Sequence, residues 1–169
     1  VTSVKIEGRM KSSYYVAVVT RTYRQALDAL IQQKEKYPCD PQWQEELGKI
    51  SHRGYTTGFC FAEEMINECS PHIKNIQTHE PAGIVSDYDE IRKQMLISVR
   101  NHLKAGENIE LLLPHETFTI DTQTILDADG NKIDQAHAGN QIYLPSPRHT
   151  PKGALLRKAT PAGSVDPSA

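Results

Sequence analysis

Several things are missing from this sequence, and each absence excludes something. Its 169 residues contain no run of about 18 apolar residues, which excludes a helix able to span a membrane, so no membrane partner is expected. The first residues carry Lys5, Glu7 and Arg9 around isolated apolar positions, which does not read as a secretory leader. Cysteine is scarce: Cys39, Cys60 and Cys69 are an odd set without a C-x-x-C pair. That argues against a disulfide framework or a zinc site, and buried free thiols in a reducing cytoplasm are the expectation. No GxSxG, HExxH or P-loop occurs. The histidines His72, His79, His102, His115, His137 and His149 are scattered without ligand spacing, so no metal site is expected.

What is present is a near-balance of charge, 19 Lys and Arg against 21 Asp and Glu, which does not fit a strongly basic nucleic-acid binder. The balance hides an asymmetry. Residues 1–24 hold five basic side chains and one Glu, an excess of +4, whereas residues 25–80 hold five basic and nine acidic ones, or −4. An anion-binding role therefore belongs first to the opening segment.

The chain begins on Val1, already in strand-like sequence and without an initiator Met, as expected of a piece of a longer protein. Val4 and Ile6 alternate with Lys5 and Glu7, which predicts a strand over residues 2–7. Ser12 or Ser13 is placed to cap a helix running to about residue 35. Its buried face is read from Tyr15, Val19, Thr22, Ala26 and Leu30 together with Val18, Tyr23, Leu27 and Ile31. Pro38 ends that pattern, and Asp40-Pro41 predicts the capped start of a shorter helix through PQWQEELGKIS. Residues 62–80 are polar and irregular and read as a linker.

From Pro81 the texture changes. GIVSDY, QMLISV, NIELLLP, TFTI, TILDA, QIYLP and GALLRK are short alternating runs separated by turn signals, and no helical period lies between them. Seven candidate strands in this span predict a small antiparallel β-barrel over 81–159, with a hairpin turn at Asp129-Gly130. Residues 160–169 read as a disordered tail. The fold class is α+β.

Two readings of the opening segment stay open on residues alone. In a (β/α)₈ barrel, Lys5 and Glu7 would face the lumen, with Gly8, Arg9 and Lys11 at the C-terminal mouth beside the next helix's amino end. That arrangement is an anion cradle suited to phosphate or carboxylate. Alternatively, the segment is an exposed strand with a solvated basic turn. SHRGYTTGF adds His52, Arg53, Tyr55, Thr56 and Thr57; histidine is the residue type most used as a general acid/base, but His52 has no carboxylate at a recognisable spacing. Arg92, Lys93, Arg100 and Lys104 form a weak basic stripe for RNA, countered by Asp87, Asp89, Glu90 and Glu107, which reads as a mixed solvated face.

SVKIEGRMKSSYYVAVVTRTYRQALD, SHRGYTTGFCF and VRNHLKAGENIELLLP with its closing LLRK together resemble the C-terminal part of the collagenase-like peptidase family U32, whose bacterial members include prephenate-dependent tRNA uridine hydroxylases. The resemblance covers residues 3–158. It implies that residues 1–61 are the last strand and helical segment of a (β/α)₈-type catalytic half, and that 81–159 are a barrel similar to the small β-barrels of translation factors. It also implies that Glu7 and Arg9 are catalytic candidates, and that Lys5, Glu7, Arg9, Lys11, His52, Arg53 and Tyr55 bind substrate. The family's signature of a Glu followed by closely spaced cysteines is absent, so the N-terminal catalytic half is expected upstream, and an iron–sulfur cluster is implied for the full-length protein and not for this chain. The partners implied are that catalytic half and tRNA. Two alternatives are a collagenase-like peptidase whose barrel recognises protein substrate, and a non-catalytic interaction module.

Overall fold

Ser12 starts the helical part of the chain. Its Oγ accepts a hydrogen bond from the Tyr15 amide at 3.2 Å and its carbonyl one from Val16 at 3.2 Å, so it caps α1 (Ser13–Gln32) as the sequence predicts. In this computed structural model, residues 2–32, 39–55 and 76–160 are described. The chain divides into two units, Val1–Thr78 with Thr160–Ala169, and His79–Ala159.

In the first unit α1 buries Tyr14, Val18, Val19 and Thr22. The apolar stripe predicted to continue along the helix does not: Tyr23, Leu27, Leu30 and Ile31 are 44%, 39%, 48% and 68% exposed. The helix that packs on it, α2 (Pro41–Gly48), has no buried residue of its own. At 1.5 Å rise per residue it is about 12 Å long, against about 30 Å for α1, and is too short to cover the whole stripe. Asp40 caps α2 by accepting from the Gln42 amide at 2.9 Å, and Pro41 occupies the first turn, where its missing N–H is not needed. Glu46 ties the two helices through Arg21 at 3.3 Å and also takes Lys49 at 2.7 Å. Beyond α2, Ile50 is buried, and His52 forms an isolated antiparallel bridge with Ile76.

The strand predicted over residues 2–7 is not formed, and Val4 is 56% exposed. A strand is held by hydrogen bonds to a neighbour, and no described residue pairs with this one. Of the predicted strand and helix of a (β/α)₈ barrel, the helix is α1 and the strand is not formed.

The second unit is built of β1 (His79–Asp89), β2 (Gln94–Val99), β3 (Leu103–Lys104), β4 (Ile109–Leu112), β5 (Thr117–Ile120), β6 (Ile125–Asp127), β7 (Lys132–Ile133), β8 (Gln135–Ala136), β9 (Gln141–Pro145) and β10 (Leu155–Ala159). The seven predicted runs correspond to β1, β2, β4, β5, β6, β9 and β10; three two-residue strands add to them. All the pairings are antiparallel. Eight strands lie in the order β5-β4-β10-β1-β2-β9-β6-β7, and β3 pairs with β8 in a separate ribbon. The sheet therefore ends at β5 and β7 and does not close into the predicted barrel. The short strand β7 and the separate β3–β8 ribbon break the ladder where closure would be needed.

Alternation puts Val85, Met95, Ile97, Ile109, Leu111, Ile142, Leu144 and Leu156 into one core. Arg157 points the other way from Leu156 yet is fully buried; it meets Glu110, its cross-strand partner on β4, at 2.6 Å. Lys158 donates to the His102 carbonyl at 2.6 Å and pairs with Glu107 at 3.2 Å. At the predicted hairpin, Gly130 has φ +87° and joins β6 to β7, while Asp127 accepts from the Asp129 and Asn131 amides at 3.0 and 2.8 Å.

Some boundaries move. His79 and Glu80 already belong to β1, and Ile76 pairs with His52, so the predicted linker does not extend to residue 80. Cys39, expected to be buried, is exposed. Cys60, Cys69, Thr56, Thr57, His72 and the tail beyond Thr160 lie outside the described residues. No helix among the described residues is long and apolar enough to cross a membrane.

Candidate nucleic-acid interface

The GRMK turn sets up the predicted site. The Lys11 amide donates to the Gly8 carbonyl at 3.0 Å, and the Arg9 amide donates to Glu7 Oε1 at 3.1 Å. Gly8 packs closely on α1: a Cβ there would meet Val16 Cγ2 at 2.6 Å. The turn thereby lies against the start of α1 and brings Lys11 to 5.4 Å from the centre of the Tyr15 ring, a cation–π contact. Beside it is a polar hollow of about 280 Å³, lined by Met10, Lys11, Ser12, Tyr15, Ser51 and Gln77 among others.

The second half of the site comes from the segment after α2. His52 and Tyr55 stack, with ring centroids 4.6 Å apart and planes 22° from parallel. The Gly54 amide donates to His52 Nδ1 at 3.0 Å, which leaves the neutral ring's proton on Nε2. The Tyr55 hydroxyl donates to the Leu47 carbonyl at 2.7 Å. Burial, with the neighbouring phenols of Tyr15 and Tyr23, raises this hydroxyl above its ordinary value of 10.0, so it stays a neutral donor. Tyr55 nevertheless remains 59% exposed.

The structure thus brings Lys11, His52 and Tyr55 together and adds Tyr15 and Tyr23, which the sequence reading had placed on the helix's buried side. Lys5, Arg9 and Arg53 are exposed, and no carboxylate lies within ion-pair distance of them or of Lys11 among the described residues. The other described cations of this unit differ: Arg21 and Lys49 meet Glu46, and Arg24 meets Asp28. Glu7, a predicted catalytic candidate, is exposed and serves the turn, and no described carboxylate touches His52. Neither arrangement is a general acid–base pair.

Of the predicted basic stripe on the sheet unit, Arg92 and Lys93 are tied up by acids, whereas Arg100 and Lys104 are exposed and have no ion pair among the described residues. Arg92 lies 3.9 Å from Asp89, and Lys93 lies 3.1 Å from Glu90. Among the described residues no group of three or more His, Cys, Asp or Glu side chains is arranged to hold a metal.

Residues 1–69 match peptidase family U32, and residues 77–157 match the peptidase family U32 C-terminal domain. The chain is 38% identical over 146 residues to tRNA hydroxylation protein P1 of Bacillus subtilis, which covers 83% of this chain and 34% of that protein. It is 30% identical over 149 residues to tRNA hydroxylation protein P of Escherichia coli, covering 86% of this chain and 32% of that one. Among solved structures, the C-terminal domain of a Geobacillus thermoleovorans protein assigned to the U32 peptidases aligns at 32% identity and a TM-score of 0.43, over 47% of this chain and 99% of that domain. The chain spans about a third of the length of the curated relatives it matches. With both matches falling within one family and together reaching from residue 1 to residue 157, the chain belongs to peptidase family U32.

Proposed function

We propose that this chain is the RNA-contacting, accessory part of a tRNA-hydroxylating member of family U32. One observation carries the reading: four exposed cations without a described carboxylate partner, Lys5, Arg9, Lys11 and Arg53, sit in the same two segments as the Lys11–Tyr15 cation–π contact and the His52–Tyr55 stack. Free cations neutralise phosphates, and exposed aromatic faces accept unstacked bases; the combination suits single-stranded loops of a folded RNA. The names of the two bacterial relatives agree with a tRNA substrate.

In this reading, wobble-uridine hydroxylation, with its iron–sulfur cluster and prephenate, belongs to the part of the relatives' length that this chain does not match. The described residues do not fit such a cluster, since Cys39 is exposed and no suitable group of ligands surrounds it. Residues 2–7 would become a strand only beside a neighbouring strand of the catalytic half. Glu7, Arg9 and Lys11 would then stand at the rim of that half's active site.

The test is tRNA binding followed by fluorescence anisotropy as salt is raised. Releasing counterions from each neutralised phosphate gives log K a slope of about −0.7 to −0.9 per contact against log salt. Lys11→Ala and Arg53→Ala are each expected to weaken binding and to flatten the slope by about one contact's share. Binding by the unaltered chain that does not change with salt would contradict the proposal.

A further inference from the structure

In the sheet unit, two of the scattered histidines are brought face to face by the β3–β8 ribbon. Leu103 pairs with Ala136 and Lys104 with Gln135, and the same register carried one step further sets His102 opposite His137. The Ala105 amide donates to the Asp134 carbonyl at 2.8 Å. Bonded and non-bonded pairs alternate along an antiparallel ladder, so His102 and His137 fall at a non-bonded position, where opposite side chains come closest. Leu103 and Ala136 are fully buried, which leaves His102, Lys104, Gln135 and His137 on the other face of the ribbon. There the two imidazole rings stack, with centroids 5.0 Å apart and planes 29° from parallel.

The backbone under both rings is fixed. The His137 amide donates to Asn140 Oδ1 at 2.8 Å, the His102 amide donates to Asn101 Oδ1 at 2.8 Å, and the His102 carbonyl accepts from Lys158 Nζ at 2.6 Å. The His102 ring is oriented as well. Its Nε2 lies 3.2 Å from Gln135 Oε1, an oxygen that can only accept, so Nε2 carries the proton and the neutral ring's lone pair stands on Nδ1. An oxygen holding one ring N–H is the support that metal-bound histidines ordinarily have, because it sets the tautomer and the direction of the other nitrogen. Neither that Nδ1 nor a ring nitrogen of His137 has a hydrogen-bond partner among the described residues.

We infer that His102 and His137 form a two-imidazole site for a divalent transition-metal ion of the nickel, copper and zinc group. Two protein donors leave the remaining coordination positions to water, so the site is an open chelate that bridges two strands and differs from a closed structural centre. Neutral nitrogen donors favour ions that bind imidazole over magnesium and calcium, which take oxygen ligands. To share one ion the rings must turn out of the stack; His137 is exposed and His102 is only partly covered, so there is room for that rotation. Lys104 shares the face and has no ion pair among the described residues, so its charge opposes a bound cation. The inference does not depend on the RNA reading above.

The probe is nickel(II) chloride titrated into the untagged full chain, with the heat of binding and the melting temperature as readouts. One ion per chain is expected, with a rise in melting temperature because only the folded ribbon holds the two rings together. His102→Gln and His137→Gln are each expected to weaken binding roughly tenfold or more and to abolish the rise. Neither side chain is buried, so the metal-free variants are expected to melt like the unaltered chain. Gln135→Glu is expected to tighten binding, since a carboxylate strengthens the donor it holds, and Lys104→Gln to tighten it by removing a like charge. A merely structural role for these side chains would move neither in that direction. Absence of nickel binding by the unaltered chain would overturn the inference. So would unchanged binding in both histidine variants, equal weakening by His52→Gln or His149→Gln, or equal binding of magnesium chloride.

Discussion

Fifteen buried apolar side chains form one cluster in the sheet unit, and every strand that supplies them is paired to another. Among the described residues of the helical unit the buried apolar ones are Tyr14, Val18, Val19 and Ile50, while Tyr23, Leu27, Leu30 and Ile31 of α1 meet solvent. The cations divide less cleanly: Arg100, Lys104, Lys132 and Lys152 of the sheet unit are exposed without an ion pair among the described residues, and Arg21, Arg24 and Lys49 of the helical unit have one. Arg157, Lys158, Arg92 and Lys93 of the sheet unit each have a carboxylate, whereas Lys5, Arg9, Lys11 and Arg53 have none among the described residues. The sheet unit satisfies its buried cations internally. The helical unit leaves charged, aromatic and aliphatic side chains at the surface, where interaction chemistry is found.

The sharpest way to break this comparison is to cut side chains from each unit. Ile97→Ala empties a fully buried position and is expected to cost about 2–5 kcal/mol. Leu27→Ala, at a 39% exposed helix position, is expected to change stability by about 0.5 kcal/mol or less. Chemical denaturation followed by backbone circular dichroism measures both. Trp43, the sole tryptophan, sits in the helical unit, and its fluorescence reports separately on whether that unit melts with the other. A large loss from Leu27→Ala would mean that the exposed stripe is a core after all.

A smaller effect comes from glycine. At Gly83 a Cβ would meet Ile97 Cγ2 at 2.5 Å and the Ser98 carbonyl at 3.2 Å, beside the bulge in β1. The strand backbone cannot yield there, so Gly83→Ala is expected to cost about 1–3 kcal/mol in the same assay. At Gly8 the obstacle is a methyl group of Val16, which is 37% exposed and has room to move, so Gly8→Ala is expected to cost less. Equal losses would show that the GRMK turn is as tightly built as the sheet.

Much of the sheet was legible because each run carries both an alternation and a boundary signal, as QMLISV and the Asp129-Gly130 turn do. Its closure was not legible. Strand period fixes which face is buried, whereas the separate β3–β8 ribbon and the two-residue β7 depend on pairings that no local pattern encodes. The ends of the helices were readable from Ser12 and Asp40, yet burial along α1 was not, because an apolar stripe does not say how long its partner is. The strand expected over residues 2–7 failed for the same reason, since alternation without a neighbour makes no ladder. Of the site, Lys11, His52 and Tyr55 were named from sequence. Tyr15 was read as a core position.

The smallest effect is acid sensitivity of the sheet unit. The Arg92 amide holds the Asp89 carboxyl below its ordinary 3.8, and the Asn131 amide does the same for Asp127. A lowered folded value means that their stabilisation is complete above the ordinary value and is lost as pH falls below it. Melting temperature is therefore expected to drop below about pH 4, and the drop to be shallower in an Asp89→Asn, Asp127→Asn double variant. An identical acid limb in that variant would remove both turns from the explanation.

The assignment of RNA contact to the helical unit is tested most directly by salt titration of tRNA binding in the unaltered chain and in Lys11→Ala and Arg53→Ala. Weaker binding in each variant with a slope shallower by about one contact is the expected result. Binding that is insensitive to salt, or equal in all three proteins, would contradict it.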